Sequence, residues 1–174
     1  MRLFIAVNLN DEVKNKILIL QNQLRAQASK GTFTQPQNLH ITLAFLGETP
    51  AERLDSLYAL MAKLPPASFE AAFNRTGFFT HSRKELWWIG MDNDSPGHKQ
   101  LEAIHARLAG LLLDAGFSVD TRPFNAHITL GREIKHSGPI ILDYPDIGVR
   151  VDRISLMQSE HIRGRLTYTE IFYK

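Results

Sequence analysis

One hexapeptide occurs twice, and it restricts this chain more than any other feature. Asn38-Leu39-His40-Ile41-Thr42-Leu43 returns 87 residues later as Asn125-Ala126-His127-Ile128-Thr129-Leu130, with five of the six residues unchanged. Repetition of this kind bears on architecture before any local pattern does. Shifting the helix expected at 11–28 by the same 87 residues gives 98–115, where a helix is expected independently. Each hexapeptide follows a strand and a helix. The chain therefore reads as two strand–helix–strand halves, duplicated and diverged.

Local patterning supplies the elements. Residues 2–9 are short, apolar and bounded by polar residues, as strands are. Asn10 is placed to cap a helix, with Asp11 and Glu12 in its first turn. Val13, Ile17, Leu20 and Leu24 then recur at helical spacing. Residues 31–37 read as a loop and 39–46 as a strand. Thr49 and Pro50 read as the cap and first position of a helix carrying Leu54, Leu57, Leu60, Met61 and Leu64. A strand is expected at 68–79, a polar turn at 80–84 and a strand at 86–91. Ser95 and Pro96 start a helix with Leu101, Ile104, Leu108, Leu111 and Leu112 at helical spacing. A short edge strand is expected at 117–119, and longer strands at 125–132, 149–158 and 166–173, with a polar loop at 159–165. Irregular alternation of strands and helices indicates an α+β fold with mainly antiparallel sheet.

Composition narrows the class. The 174 residues are 44% hydrophobic and 22% charged, which excludes a disordered chain and a collagen-like one. Cys is absent, so disulfides, thiolate metal sites and a thiol nucleophile are excluded. A reducing compartment fits, and the expectation is a cytoplasmic monomer without an obligate protein partner. No stretch approaches the ~18 apolar residues of a membrane span. The formal net charge is +2 and no basic stripe stands out, which suits a short anionic substrate better than a long duplex.

In a strand, alternate side chains share a face. His40 and Thr42 therefore point one way while Ile41 and Leu43 point into a core, and His127 and Thr129 repeat this. If a pseudo-twofold axis relates the halves, the two strands can lie side by side, and two imidazoles and two hydroxyls converge on one cleft. Imidazole has an unperturbed pKa of about 6.5, so one ring can take a proton while the other gives one. Thr hydroxyls can donate to the non-bridging oxygens of a phosphate between them. The set favours in-line displacement at phosphorus, and the scheme needs neither metal nor cofactor. Metal catalysis is the chemical competitor, but HxH and H-E-x-x-H are absent. His98 and His105 are expected on a helix surface, and His81, His136 and His161 in polar turns.

Two H-x-T-x motifs half a chain apart resemble the 2H phosphoesterase superfamily. The stretches RLFIAVNL, NLHITLAFLGE (38–48), LWWIGM (86–91), RPFNAHITLGRE (122–133) and RGRLTY (163–168) resemble, within it, the bacterial RNA 2′,3′-cyclic phosphodiesterases, also called 2′-5′ RNA ligases. The resemblance covers essentially the whole chain as a single unit, residues 1–174. It implies a bilobal α+β fold, with two antiparallel sheets and a cleft between the lobes. It implies hydrolysis of a terminal RNA 2′,3′-cyclic phosphate to a 2′-phosphomonoester, and a slow joining of such an end to a 5′-hydroxyl. His40 would be the general acid, His127 the general base, and Thr42 and Thr129 the phosphate ligands; a pseudo-symmetric site leaves the reverse His assignment open. Ala126 stands where the family often has Pro.

Secondary candidates surround this core. Arg132, read as the alternate residue two past Thr129 although the spacing is three, is expected to share its face while the strand continues, and to reach a substrate phosphate by bidentate hydrogen bonds. Phe45 is expected in the core. Arg163 and Arg165 form a small basic turn. Of the adjacent Trp87 and Trp88, one is expected in the core, and the other is a candidate stacking surface for a base, a surface residue being the simpler reading. Two other functions fit the same residues: a cyclic phosphodiesterase acting on a non-RNA nucleotide such as an ADP-ribose cyclic phosphate, and a module that binds RNA ends without cleaving them.

Overall fold

Helix α1 (Asp11–Gln27) begins where Asn10 accepts the Val13 N–H at 2.9 Å, satisfying one of the free amides of its first turn. Helix α3 (Pro96–Asp114) begins in the same way, at Ser95, with Pro96 in its first turn. The first buries its expected stripe, Val13, Ile17, Leu20 and Leu24; the other leaves Leu111 only partly buried and buries Leu101, Ile104, Leu108 and Leu112. Each such side chain contributes roughly 1.5–3 kcal/mol when taken out of water.

The computed structural model describes residues 1–82, 84–120 and 122–174, and of His81 only the backbone. The surface position expected for the His81 side chain, and part of the turn expected at 80–84, lie outside the described residues. The remaining elements are the strands β1 (Arg2–Asn8), β2 (Lys30–Phe33), β3 (His40–Glu48), β4 (Phe69–Phe73), β5 (Arg75–His81), β6 (Lys84–Gly90), β7 (His127–Lys135), β8 (Ile147–Val151), β9 (Ser155–Ile162) and β10 (Arg165–Tyr173), and helix α2 (Leu54–Ala62). Among the described residues, no helix is long and apolar enough to cross a membrane.

The α+β class and the two antiparallel sheets are as expected. The larger sheet has the order β10-β9-β1-β3-β7-β6-β5, with β2 on the free part of β7; the smaller pairs β4 with β8. The motif strands β3 and β7 are nine residues each, start on their His, and are offset by 87. They meet at the centre of the larger sheet through one antiparallel pair, Ile41 opposite Ile128. Either side of that seam the order is mirrored, β1 beside β3 and β6 beside β7. The halves also exchange parts. β9 and β10 complete the first half's sheet, and β2 completes the second half's. Helix α1 packs on β7 and β8, and α3 on β3 and β4. One cluster of buried side chains takes residues from both halves.

Several local expectations are corrected. Residues 31–37 are not all loop: β2 pairs along β7, a contact its short polar sequence KGTF does not announce. The strand expected at 68–79 is two strands, broken at Asn74 and directed into different sheets. The strand expected at 149–158 divides in the same way into β8 and β9. The loop expected at 159–165 is mostly strand, turning at Arg163 and Gly164, both at positive φ. Residues 117–119 form no strand; Phe117 lies under the Arg53 guanidinium, 3.9 Å from its ring centre. Helix α2 starts at Leu54, after a 3₁₀ turn, and the buried Thr49 hydroxyl turns back to the Gly47 carbonyl instead of capping it.

Candidate active site

Both motif strands carry a bulge directly after the Thr. Ala6 faces Thr42 and Ile5 faces Ala44, so Leu43 is the extra residue on β3. Trp88 faces Thr129 and Trp87 faces Gly131, so Leu130 is the extra residue on β7. A bulged residue leaves backbone groups outside the ladder. Here a helix of the other half donates to the carbonyl, which at Leu130 also accepts the Thr34 N–H at 3.0 Å. His105 on α3 donates from Nδ1 to the Leu43 carbonyl at 2.8 Å, and Gln21 on α1 donates from Nε2 to the Leu130 carbonyl at 2.8 Å. The Gln21 amide also donates to the Thr34 carbonyl at 2.9 Å and is itself only 2% exposed. Replacing Gln21 by Leu leaves the Thr34 carbonyl without that donor, at an expected cost of about 2 kcal/mol. A lower urea midpoint at unchanged m-value checks this; a stability equal to the wild type contradicts it.

The bulges change which side chains reach the cleft. Phe45 and Arg132 each lie three residues past their Thr, and regular alternation would turn both toward the core. The extra residue shifts the alternation by one. Phe45 is therefore not core as expected: it is 59% exposed and lines the cleft. Arg132 does share the His127 and Thr129 face, but only because of the bulge. The two positions are again 87 apart.

The cleft has a volume of about 1410 Å³ and is lined by His40, Thr42, His127, Thr129 and Arg132 together. Extending the Ile41–Ile128 register sets His40 beside Thr129 and Thr42 beside His127, so each His faces the other half's hydroxyl. The rings are held alike. His40 Nδ1 lies 2.7 Å from the Asn38 carbonyl, and His127 Nδ1 lies 2.7 Å from the Asn125 carbonyl. A carbonyl only accepts, so each Nδ1 carries the proton and each neutral ring keeps Nε2 bare. The Thr42 hydroxyl donates to that nitrogen of His40 at 2.9 Å. Asn38 is held in turn, its amide donating to the Leu166 carbonyl at 2.8 Å.

Aromatic rings wall in each imidazole. Phe4 and Tyr168 lie 4.9 and 5.3 Å from His40 between ring centroids. Phe79 stands edge-on to His127 at 5.4 Å. Trp87 is the buried tryptophan, its indole donating to Glu85. Trp88 packs on Phe79 at 5.3 Å, and Phe79, not Trp88, lines the cleft. Arg165 lines the rim. His98, expected at the surface, is 4% exposed, and His105 is half-buried against Phe124. His136 bonds the Glu85 carboxylate, and His161 lies on β9. Among the described residues, no cluster of three or more His, Asp or Glu is placed to hold a metal ion.

The sequence matches the family described as LigT like Phosphoesterase over residues 7–88 and 93–168. The chain belongs to the LigT-like phosphoesterases. It is 31% identical over 170 residues to the RNA 2′,3′-cyclic phosphodiesterase of Escherichia coli, covering 98% of this chain and 93% of that one. It is 29% identical over 182 residues to the enzyme of the same name from Thermotoga maritima, covering 100% and 92%. The crystal structure of E. coli LigT complexed with 3′-AMP superposes with a TM-score of 0.85 at 30% identity, over 99% of this chain and 96% of that one. This phosphoesterase therefore has the duplicated fold of its family, with the paired motifs at the seam.

Both imidazoles of this LigT-like site titrate low. Burial pushes His40 down to about 4, against the Asn38 carbonyl and helped by the charges of His127 and Arg132. His127 is lowered first by burial and then by Arg132, against the Asn125 carbonyl. A lowered pKa leaves the ring neutral above it, so both rings are neutral in the empty site at pH 7. An anion bound between them would offset the Arg132 charge and act to raise both pKa values. The bell of kcat/KM, which reports the free enzyme, is expected to centre below the unperturbed 6.5. The bell of kcat, which reports the complex, is expected at higher pH. A kcat/KM optimum above about pH 7 contradicts this.

Proposed function

We propose that the chain hydrolyses the terminal 2′,3′-cyclic phosphate of RNA to a 2′-phosphomonoester, using His127 as general base and His40 as general acid. The carrying observation is the pair of imidazoles on one cleft, each with Nδ1–H held by the carbonyl two residues back. The names of the relatives support the substrate class.

His127 Nε2 takes a proton from water, whose oxygen attacks phosphorus. The bond from phosphorus to the 3′-oxygen breaks, and that oxygen takes the proton from His40 Nε2. Protonating His40 for this step turns the Thr42 hydroxyl around: it can no longer donate to Nε2 and donates to the phosphate instead. Thr129 donates from the other half, and the Arg132 guanidinium offsets the charge that builds on the equatorial oxygens. Each turnover ends with the proton on His127 instead of His40, and exchange with solvent resets the pair. A 5′-hydroxyl in place of water gives a 2′-5′ link by the same steps. No step calls for a metal or a cofactor. The reading includes a single working unit over residues 1–174, acting as a monomer in the cytoplasm, a compartment suited to a chain without Cys.

Turnover of such an RNA end in ¹⁸O-labelled water tests the reading. One labelled oxygen in the phosphomonoester is expected. An unchanged cyclic phosphate after long incubation overturns it.

A further inference from the structure

One reacting phosphate does not account for a second groove that opens off the cleft. This groove, of about 790 Å³, joins the cleft at His40, Phe45, Arg132, Leu166 and Tyr168 and continues over Arg2. Tyr168 stands edge-on to His40. Burial raises the pKa of its hydroxyl, and the charges of Arg132 and Arg2 both act against that rise. Arg2, Arg132 and Tyr168 line this one groove, with the Tyr168 ring against His40. Among the described residues neither arginine forms an ion pair. Glu48 lines the same groove, but the Met1 amine lies 3.6 Å from its carboxylate. Glu160 on β9 is the other acid there. Two arginines that share a groove and form no ion pair among the described residues fit an oxyanion ligand.

Chemistry restricts what that anion is. A chain ending in a 2′,3′-cyclic phosphate continues only from its 5′ oxygen. The nearest other phosphate is therefore the one on the 5′ side of the same nucleoside. We propose that Arg2 and the Tyr168 hydroxyl bind this 5′-phosphate, with Arg132 standing between it and the reacting phosphate. The nucleoside then spans the shared rim of Phe45 and Leu166. The proposal rests on the cyclic phosphodiesterase reading and adds a preference to it: ends that carry a 5′-phosphate are favoured over a bare nucleoside cyclic phosphate.

Three probes test it: adenosine 2′,3′-cyclic phosphate, the same compound with a 5′-phosphate, and a dinucleotide ending in the cyclic phosphate. The wild type is expected to favour the second and third over the first in kcat/KM. Arg2→Ala is expected to lower that ratio by about 10-fold or more, chiefly through KM, which is the low end for a charge-assisted contact. Arg2→Lys restores part of it, and Tyr168→Phe, which keeps the ring beside His40, lowers it as well. The salt dependence of dinucleotide binding becomes shallower in Arg2→Ala by about 0.7 in log–log slope. A gain limited to the 5′-phosphorylated nucleoside assigns the subsite to free nucleotides, and a gain shared by the dinucleotide assigns it to RNA; both support it. A wild-type ratio near one, or a ratio that Arg2→Ala leaves unchanged, overturns this inference alone. No turnover of any probe by the wild type overturns the reading beneath it.

Discussion

Replacing His127 by Ala is expected to lower kcat on the cyclic phosphate by about 10²–10⁴-fold, and replacing His40 by Ala to do the same. In the proposed roles each ring moves a proton only in the transition state, so KM should change little. The double variant should be little worse than either single one, because groups that act as a unit are not additive. Folding is not the expected cause of the loss. Both rings are half-buried on the cleft side of their strands, while the core-facing Ile41 and Ile128 stay in place. Steady-state kinetics with far-UV circular dichroism separates the two causes. A variant that keeps its fold and stays within tenfold of wild-type kcat contradicts the assignment for that residue.

Arg132→Gln is expected to have two effects of separate origin. In the proposed role, loss of the guanidinium removes a charge-assisted phosphate contact, worth about 10–100-fold in kcat/KM. The same charge also holds both imidazoles down. Removing it raises both pKa values, so each limb of the kcat/KM bell moves to higher pH. A loss of activity with an unmoved bell would show that Arg132 binds substrate without setting the acid–base pair. A moved bell with unchanged kcat/KM at its optimum would show the reverse. Because Arg132 is exposed and β7 is held through its backbone, the stability of the variant should stay close to that of the wild type.

The repeat made the central frame legible. Its offset of 87 carries β3 onto β7 residue for residue, and Asn10 and Ser95 cap the helices where their side chains suggested. Period-two alternation placed His40, Thr42, His127 and Thr129 on one face. It failed one residue later, since a bulge is set by the partner strand and by who takes the freed carbonyl. Leu43 and Leu130 look like any core leucines, yet His105 and Gln21 meet their carbonyls from distant helices. That shift turned Phe45 outward and made Arg132 a cleft residue. Long-range pairing hid the rest. Phe4, Phe79 and Tyr168 reach the imidazoles from three other strands, and no local pattern in the sequence links them to the motifs. β2 escaped notice because its strand exists only by pairing with β7. The Asn kept in both motifs was visible, but the atom that orients each His is its backbone carbonyl, which any residue could supply.

The most direct test of the paired-imidazole mechanism is the identity of the phosphomonoester formed from an RNA 2′,3′-cyclic phosphate by EDTA-treated protein, read by ³¹P NMR. The account predicts a 2′-phosphate as the sole product, at a rate unaffected by the chelator and lost in both His variants. A 3′-phosphate, or turnover abolished by EDTA and restored by a divalent metal, would contradict it.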